Sequence, residues 1–550
     1  VRKIKTGNTI ELSLLIFSLA FLFTAVICPM TALFIKAFQN NSGKFIGLTN
    51  FVEYFSSSGM AVSLWNSVII SLITSIIAVC LAFVYAYALT RGDIPFKRIF
   101  HFTAMMPIFA PTMVFGIALI YLIGNKGIIT TMSGLKLPLY GPLGIIISEI
   151  IYTFPQAFLI LYVTLSYADN RLYESARAMG TSALRTFMTV VLPGAKFGIV
   201  SALMVAFTLC FSDFGAPKVV GGNFNVLATD IYKQVVGQQN FGMGAVVGIL
   251  LMIPAVMMFI TDRMIQSPNR DTISSKSLKY RIVSNKWRDL CLTGYCLAIN
   301  IFIMALFFAV FMASVVKAWP YNMGFTLEHF TVDSPATGGF GSFLNSVVTS
   351  ALSAVFGTIF VFLNAWLIEK LRGHSLLRQT GYLFSLIPLA LPGLSIGLAF
   401  IFFFSSEYNP LSFIYGTIII LVIANIVHFY SVPFVTATSA LKKLDKEIES
   451  VAESMSVPSF RTLVRVTIPM CKDALFEIAV FFFVNAMVTI SAVVFLYPAD
   501  FKLASVAIVN MEDAGDTAPA AALSVLVILI NIAVRLVYEF VSGRKVTKTE

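Results

Sequence analysis

The sequence predicts an all-α polytopic membrane protein, with about twelve transmembrane helices arranged as two tandem halves of six. Three observations predict it. The chain of 550 residues is 58% hydrophobic and only 12% charged, with a mean hydropathy of +0.87, and no single soluble core could hide that much apolar surface. Apolar stretches of membrane length, about 20 residues of helix each, follow one another along it. Landmarks of the first half recur in the second at a nearly constant offset.

The stretches lie near residues 10–37, 62–89, 100–123, 142–165, 196–219, 241–262, 290–317, 345–368, 380–404, 412–434, 474–497 and 518–541. Arg2, Lys3 and Lys5 precede the first, which is too long for a signal peptide and lacks a small-residue cleavage site. Basic residues cluster in alternate connections, among them Arg91/Lys97/Arg98, Arg171/Arg177/Arg185, Lys370/Arg372/Arg378, Lys442/Lys443/Lys446 and Arg544/Lys545/Lys548. The positive-inside bias therefore puts both termini in the cytoplasm and the acidic stretch from Glu512 to Asp516 outside. This topology, rather than nucleic acid, accounts for the formal charge of +11, because the basic residues form no continuous face. Cys28, Cys80, Cys210, Cys291, Cys296 and Cys471 have no paired ligand spacing and are expected as small buried side chains, with no metal site.

The duplication is read from three landmarks. Asn66-Ser67-Val68 returns as Asn345-Ser346-Val347, an offset of 279. MMPIFAPTMVFGIAL, with Pro107, Pro111 and Gly116, returns as LIPLALPGLSIGLAF, with Pro388, Pro392 and Gly397, an offset of 281. YESARAMGTSALRTFMTVVLP, ending at Pro193, returns as IESVAESMSVPSFRTLVRVTIP, ending at Pro469, an offset of 276. Each half holds an even number of spans, so the halves run in the same sense about an axis along the membrane normal. Residues 1–262 form the first half, 263–289 a basic cytoplasmic linker and 290–550 the second half. The paired prolines remove backbone donors in mid-span, and the glycines permit close helix contact. Such breaks are common along a substrate path, although prolines also kink membrane helices harmlessly.

In the first repeated loop, Glu174, Ala176 and Ala178 begin a short helix, Gly180 allows a reversal, and Ser182 caps a second helix opening with Ala183 and Leu184. Leu192-Pro193 then returns the chain to the membrane. The result is either a docking knob or an interfacial helix anchored by Arg177 and Arg185; its repetition favours docking. In the second copy Ala452, Ile468 and Pro469 keep the frame, while Ser450 and Ser456 replace Glu174 and Gly180. A positive φ at Ser456 would cost about 1 kcal/mol, so the two docking sites are expected to be unequal.

Glu174, Ala176, Gly180 and Leu192-Pro193 resemble the EAA loop of binding-protein-dependent ABC importer permeases of the MetI-like, type I group. The duplicated six-span layout is similar to that of fused permeases of the ferric-iron branch, over essentially the whole chain. The resemblance implies that each loop is a coupling helix seated on a cytoplasmic ABC ATPase, two copies per permease, and that an extracytoplasmic solute-binding protein delivers the cargo. It also implies a bacterial inner membrane location. ATP and Mg belong to the ATPase; the lone Gly43-Lys44 is followed by Phe45 and lacks the upstream glycine of a phosphate loop, so no cofactor is expected here and the chain is a transporter subunit, not an enzyme.

The segments after Asp213 and after Asn485 look most like permeases for 2-aminoethylphosphonate, with ferric iron the near alternative and spermidine or another small cation third. Asp213, at the outer end of the fifth stretch, is expensive in lipid. It either attracts a cationic group of the cargo, pairs with Lys218, or caps the break at Gly215. Glu149 and Glu477 are weaker candidates of the same kind, and Arg535 is expected to snorkel to the surface. A secondary transporter with two six-span halves is the rival class, which would need midplane charges for ion coupling.

Overall fold

The computed structural model describes residues 2–40, 42–134, 136–266, 280–331, 338–370, 374–445 and 447–542. Most of the linker, residues 267–279, and the basic Arg544, Lys545 and Lys548 lie outside them. Among the described residues nine helices are long and apolar enough to cross a membrane, or eleven when two bent pairs each count as one span, and the shorter helix Lys472–Val488 is numbered with them as the twelfth segment. In chain order we number the spans 1 (Arg2–Leu22, Phe23–Ile27, Cys28–Ala37), 2 (Ser58–Arg91), 3 (Lys97–Met105, Met106–Phe109, Thr112–Ile123), 4 (Pro142–Ser166), 5 (Leu192–Ser212) and 6 (Phe241–Gln266). The second half follows as 7 (Lys286–Val315), 8 (Gly339–Lys370), 9 (Ser375–Leu386, Ile387–Ala390, Gly393–Phe404), 10 (Ile418–His428, Ser431–Lys442), 11 (Lys472–Val488) and 12 (Thr517–Val541).

Two expected stretches, 196–219 and 474–497, stop early at equivalent points. Span 5 leaves the helix at Asp213, ψ 137°, and span 11 at Thr489, ψ 140°. With 17 residues, span 11 is about 26 Å long, less than a hydrocarbon core of about 30 Å. Asp213 explains the first stop: its Oδ2 accepts from Ala216 N at 2.9 Å and caps the new short helix Gly215–Val220, so the side chain competes with the continuing helix.

The proline landmarks break their spans as expected. Pro107 and Pro388 open single 3₁₀ turns, and Pro111 and Pro392 stand as N-caps, φ −56° and −61°, of the helices that follow. Span 9 turns by 113° there. The Phe109 carbonyl freed by the first break accepts from Asn531 Nδ2 of span 12 at 3.0 Å, which meets the requirement that buried backbone groups find partners. All four prolines are buried. Gly116 and Gly397 sit at close contacts, since a Cβ there would come within 2.9 Å of Val219 and 2.8 Å of the Ala492 carbonyl.

Hydrogen bonding repeats with the sequence. Asn66 Nδ2 donates to the Asn225 carbonyl at 2.9 Å and Asn345 Nδ2 to that of Lys502 at 3.1 Å. Ser67 and Ser346 each accept, at 2.7 Å, the first backbone N–H of a following helix, from Leu227 and Ala504. The first helix of each half packs on the other half. Span 1 bonds span 8 through Ser18 Oγ to Asn364 Oδ1 at 2.9 Å, and span 7 bonds span 2 through Asn300 Nδ2 to Tyr85 Oη at 2.7 Å and Tyr295 Oη to the Leu81 carbonyl at 2.8 Å. The halves are thereby interlocked. Of the six cysteines, all free thiols, Cys210, Cys296 and Cys471 are buried, but Cys80 and Cys291 are exposed on helix flanks.

Candidate functional site: paired loops and a buried polar layer

Each repeated loop is a helix, a reversal, a short helix and a π-turn. In the first, Asp169 caps the helix Asn170–Ala178 by accepting from Arg171 N at 3.0 Å, and Asn170 Nδ2 donates to Glu174 Oε1 at 2.6 Å. The helix thus starts four residues ahead of Glu174, earlier than the sequence suggests. Gly180 turns the chain at φ +65°, and Ser182 Oγ accepts from Arg185 N at 3.3 Å, the expected cap. Thr181 N closes the reversal on the Ala176 carbonyl at 3.1 Å, and Val457 N does the same on that of Ala452 at 2.9 Å. Ser456 occupies the left-handed position, φ +55°, in place of glycine. Both loops re-enter their spans through π-turns, Phe187–Val191 and Leu463–Thr467, just before Leu192-Pro193 and Ile468-Pro469. A π-turn ahead of proline relieves the clash of its ring with the preceding turn.

Of the outer surface of these loops the sequence singles out only Leu184, Leu192 and Ile468. Met179, Leu184, Met188 and Leu192 are exposed in the first, and Met455, Phe460, Val464 and Ile468, at the same offset of 276, in the second. The two rows of uncovered apolar side chains are thus equivalent across the repeat. The signal was present as apolar residues at equivalent places in two otherwise polar loops.

The second feature is a polar layer inside the helices. Asp213 meets Glu149 of span 4, and its other partners are Thr112 and the backbone at Ala216 and Phe214. Glu149 is fully buried, and among the described residues its carboxyl group is left to Asp213 and Cys210, with no well-aligned N–H or O–H donor on either oxygen. Lys218 does not pair with Asp213. Its Nζ lies 3.0 Å from Asp513 Oδ1 of the other half and 5.3 Å from the centre of the Tyr232 ring. In the second half the same layer carries no carboxyl group: Asn425 stands for Glu149, Thr489 for Asp213 and His428 for Tyr152, and among the described residues both amide atoms of Asn425 and Nδ1 of His428 have no hydrogen-bond partner. Glu477 sits apart, near the loop end of span 11. Arg535 pairs with Glu539 at 3.2 Å. Among the described residues no three His, Cys, Asp or Glu side chains form a metal cluster.

On the face opposite the loops the halves meet again. Tyr121 Oη and Thr517 Oγ1 are 2.9 Å apart, Trp319 Nε1 donates to the Lys126 carbonyl at 3.1 Å, and these residues line a cleft of about 520 Å³ with Tyr140 and Asp516. Beside Asp513, burial and then that neighbouring carboxylate push the Glu512 carboxyl up to about 7.

Residues 78–270 and 362–547 each match the family described as "Binding-protein-dependent transport system inner membrane component". The chain belongs to that family. This permease is 25% identical over 556 residues to the ferric transport system permease protein FbpB of Actinobacillus pleuropneumoniae, covering 98% of this chain and 80% of that protein. It is 24% identical over 493 residues to the Fe(3+)-transport system permease protein FbpB 2 of Haemophilus influenzae, covering 88% and 90%. A chain of a bacterial alginate ABC transporter, solved in complex with an alginate pentasaccharide-bound periplasmic protein, superposes on 50% of the permease with a TM-score of 0.41 and 16% identity. With the family domain present twice, the permease is a fused, multi-span inner-membrane subunit of an ABC importer.

Proposed function

We propose that this permease passes ferric iron, delivered by an extracytoplasmic binding protein, through a path that touches the Glu149 and Asp213 carboxyl groups, and that two copies of a separate ATPase grip its loops. Aminoethylphosphonate, favoured by the sequence, gives way for two reasons. Relatives covering 98% and 88% of the chain carry ferric names. The observation that carries the reading is the acidic pair itself: among the described residues the groups acting on it are Cys210, Thr112 and the backbone at Ala216 and Phe214, none of them a Lys or Arg. Two carboxyl groups in an apolar interior need a proton or a cation between them. A hard trivalent ion suits both sets of oxygens at once, whereas aminoethylphosphonate could offer them its ammonium but would bring its phosphonate charge against the same carboxyl groups.

ATPase closure, transmitted through Glu174, Ala176, Gly180 and Leu192-Pro193 and through Ala452, Ser456 and Ile468-Pro469, rocks the halves about the central axis. The proline breaks at Pro107, Pro111, Pro388 and Pro392 supply the bent segments beside the path. The apolar rows on both loops support the docking. The test is uptake into proteoliposomes holding permease, ATPase and binding protein, with labelled ferric iron and labelled aminoethylphosphonate side by side. Iron uptake that falls at least tenfold in Glu149→Gln is expected; phosphonate uptake without iron uptake overturns the reading.

A further inference from the structure

Arg91, the last residue of span 2, is 2% exposed. Among the described residues no carboxylate pairs with it. Its Nη2 instead donates to the Leu165 carbonyl at 2.7 Å and to Tyr173 Oη at 3.2 Å. The guanidinium lies 4.2 Å from the centre of the Tyr280 ring and 5.1 Å from that of Tyr173, and the two rings meet edge to face at 4.7 Å. Tyr173 belongs to the first loop helix; Tyr280 belongs to the end of the linker. The next linker residue continues the contact, because Arg281 N donates to Asn170 Oδ1 at 3.3 Å while the same amide group donates to Glu174 Oε1 at 2.6 Å. From there the chain is fixed to span 7: Arg288 Nη2 donates to the Val283 carbonyl at 2.7 Å, and Asp289 Oδ2 accepts from Asn285 N at 2.8 Å.

The internal repeat shows what this replaces. Lys370 ends span 8 where Arg91 ends span 2, and Glu449 stands where Tyr173 stands. These two form a direct ion pair. One loop is thus tied to its span by opposite charges, the other by a cation between two aromatic rings, one of them contributed by the linker.

We propose that the linker end, Tyr280 and Arg281, is a fastening for the first loop helix: it covers Arg91, holds Asn170, and through Asn170 orients Glu174 for the ATPase. Tyr280 and Arg91 are positioning residues. The inference rests on the docking role of the loops.

The test compares Tyr280→Ala and Tyr280→Phe in the intact permease, ATPase and binding-protein assembly, reading cargo moved per ATP hydrolysed and the rate of tryptic cleavage after Arg281. Loss of the ring face lowers the first about five- to tenfold and raises the second about tenfold, the scale of a cation–π contact between its exposed and fully desolvated limits. Tyr280→Phe keeps both at wild-type values, since the ring makes the contacts to Arg91 and Tyr173. A wild-type value for Tyr280→Ala in either readout overturns the proposal, as does equal impairment in Tyr280→Phe. Should Tyr280→Ala fail to assemble, Arg91→Lys, which keeps the charge and loses the planar face, goes through the same readouts with the same expectation. Glu174→Lys, read by ATPase copurification, separately judges the docking role.

Discussion

Glu512 offers a prediction with a defined sign. It lies in the last turn of the helix Ala504–Ala514, outside the spans, with Oε2 buried and without a hydrogen-bond partner among the described residues, and Asp513 beside it. Burial first, and Asp513 second, raise its carboxyl from 4.5 to about 7. A raised carboxyl binds its proton more tightly in the folded protein than in the unfolded chain, so stability falls as pH rises from 4.5 towards 7 and is level above that. The full shift corresponds to about 3 kcal/mol, and solvent reaching the side chain reduces it to about 2 kcal/mol. Glu512→Gln keeps the shape and removes the titration. Melting midpoints of the purified permease measured from pH 4.5 to 8 are expected to fall with pH more steeply in wild type than in the variant, with the variant the more stable at pH 8. Parallel curves for the two proteins would refute the reasoning.

Three further outcomes are expected. Glu174→Lys and Gly180→Pro each reduce ATPase copurification at least tenfold with membrane insertion intact, the first by reversing charge on the docking face and the second because proline cannot adopt the φ of +65° found there; retention of the ATPase by both removes the docking assignment. Ser456→Gly relieves the left-handed serine and stabilises by about 1 kcal/mol, read as a raised melting midpoint, and an unchanged or lowered midpoint argues against strain there. Gly215→Ser places a Cβ 2.2 Å from Thr112 Oγ1, costing about 2 kcal/mol, and Thr112→Gly in the same chain restores stability; failure of the double variant to recover breaks the argument.

That last pair comes from the repeat. In the second half Gly393 takes the place of Thr112 and Ser491 that of Gly215, and a Cβ on Gly393 would lie 2.2 Å from Ser491 Oγ. Each half has one glycine and one hydroxyl at this contact, on opposite sides. Such an exchange is visible only once the register and the three-dimensional neighbour are both known. The sequence showed the spans, the proline breaks, the loop reversals and the Ser182 cap, because apolar runs, proline and glycine act locally. The partners of Asp213 and Arg91 were beyond it, because Glu149 lies 64 residues away and Tyr280 lies 189 residues away. The early ends of spans 5 and 11 were hidden by continuing hydrophobicity, since the residues after Asp213 and Thr489 stay apolar while packing as a short helix or turns.

The two halves keep one frame and differ where chemistry acts. Glu149 and Asp213 face Asn425 and Thr489 across the repeat, Arg91 with Tyr173 faces Lys370 with Glu449, and Gly180 faces Ser456. The backbone at these sites is retained: Gly180 and Ser456 share the left-handed turn, and Asp213 and Thr489 leave the helix with φ of −72° and −71°. Strain tolerated at Ser456 shows that the turn is demanded by the loop's shape and not by the residue that fills it. With Asp and Glu confined, among the described residues, to the first half's layer, a cation on the proposed path would meet one half preferentially. With the first helix of each half packed on the other, such a one-sided contact would be felt by both bodies in the proposed rocking motion. A fused chain permits this division, because two identical subunits would have to carry the acidic pair, the covered arginine and the glycine turn twice.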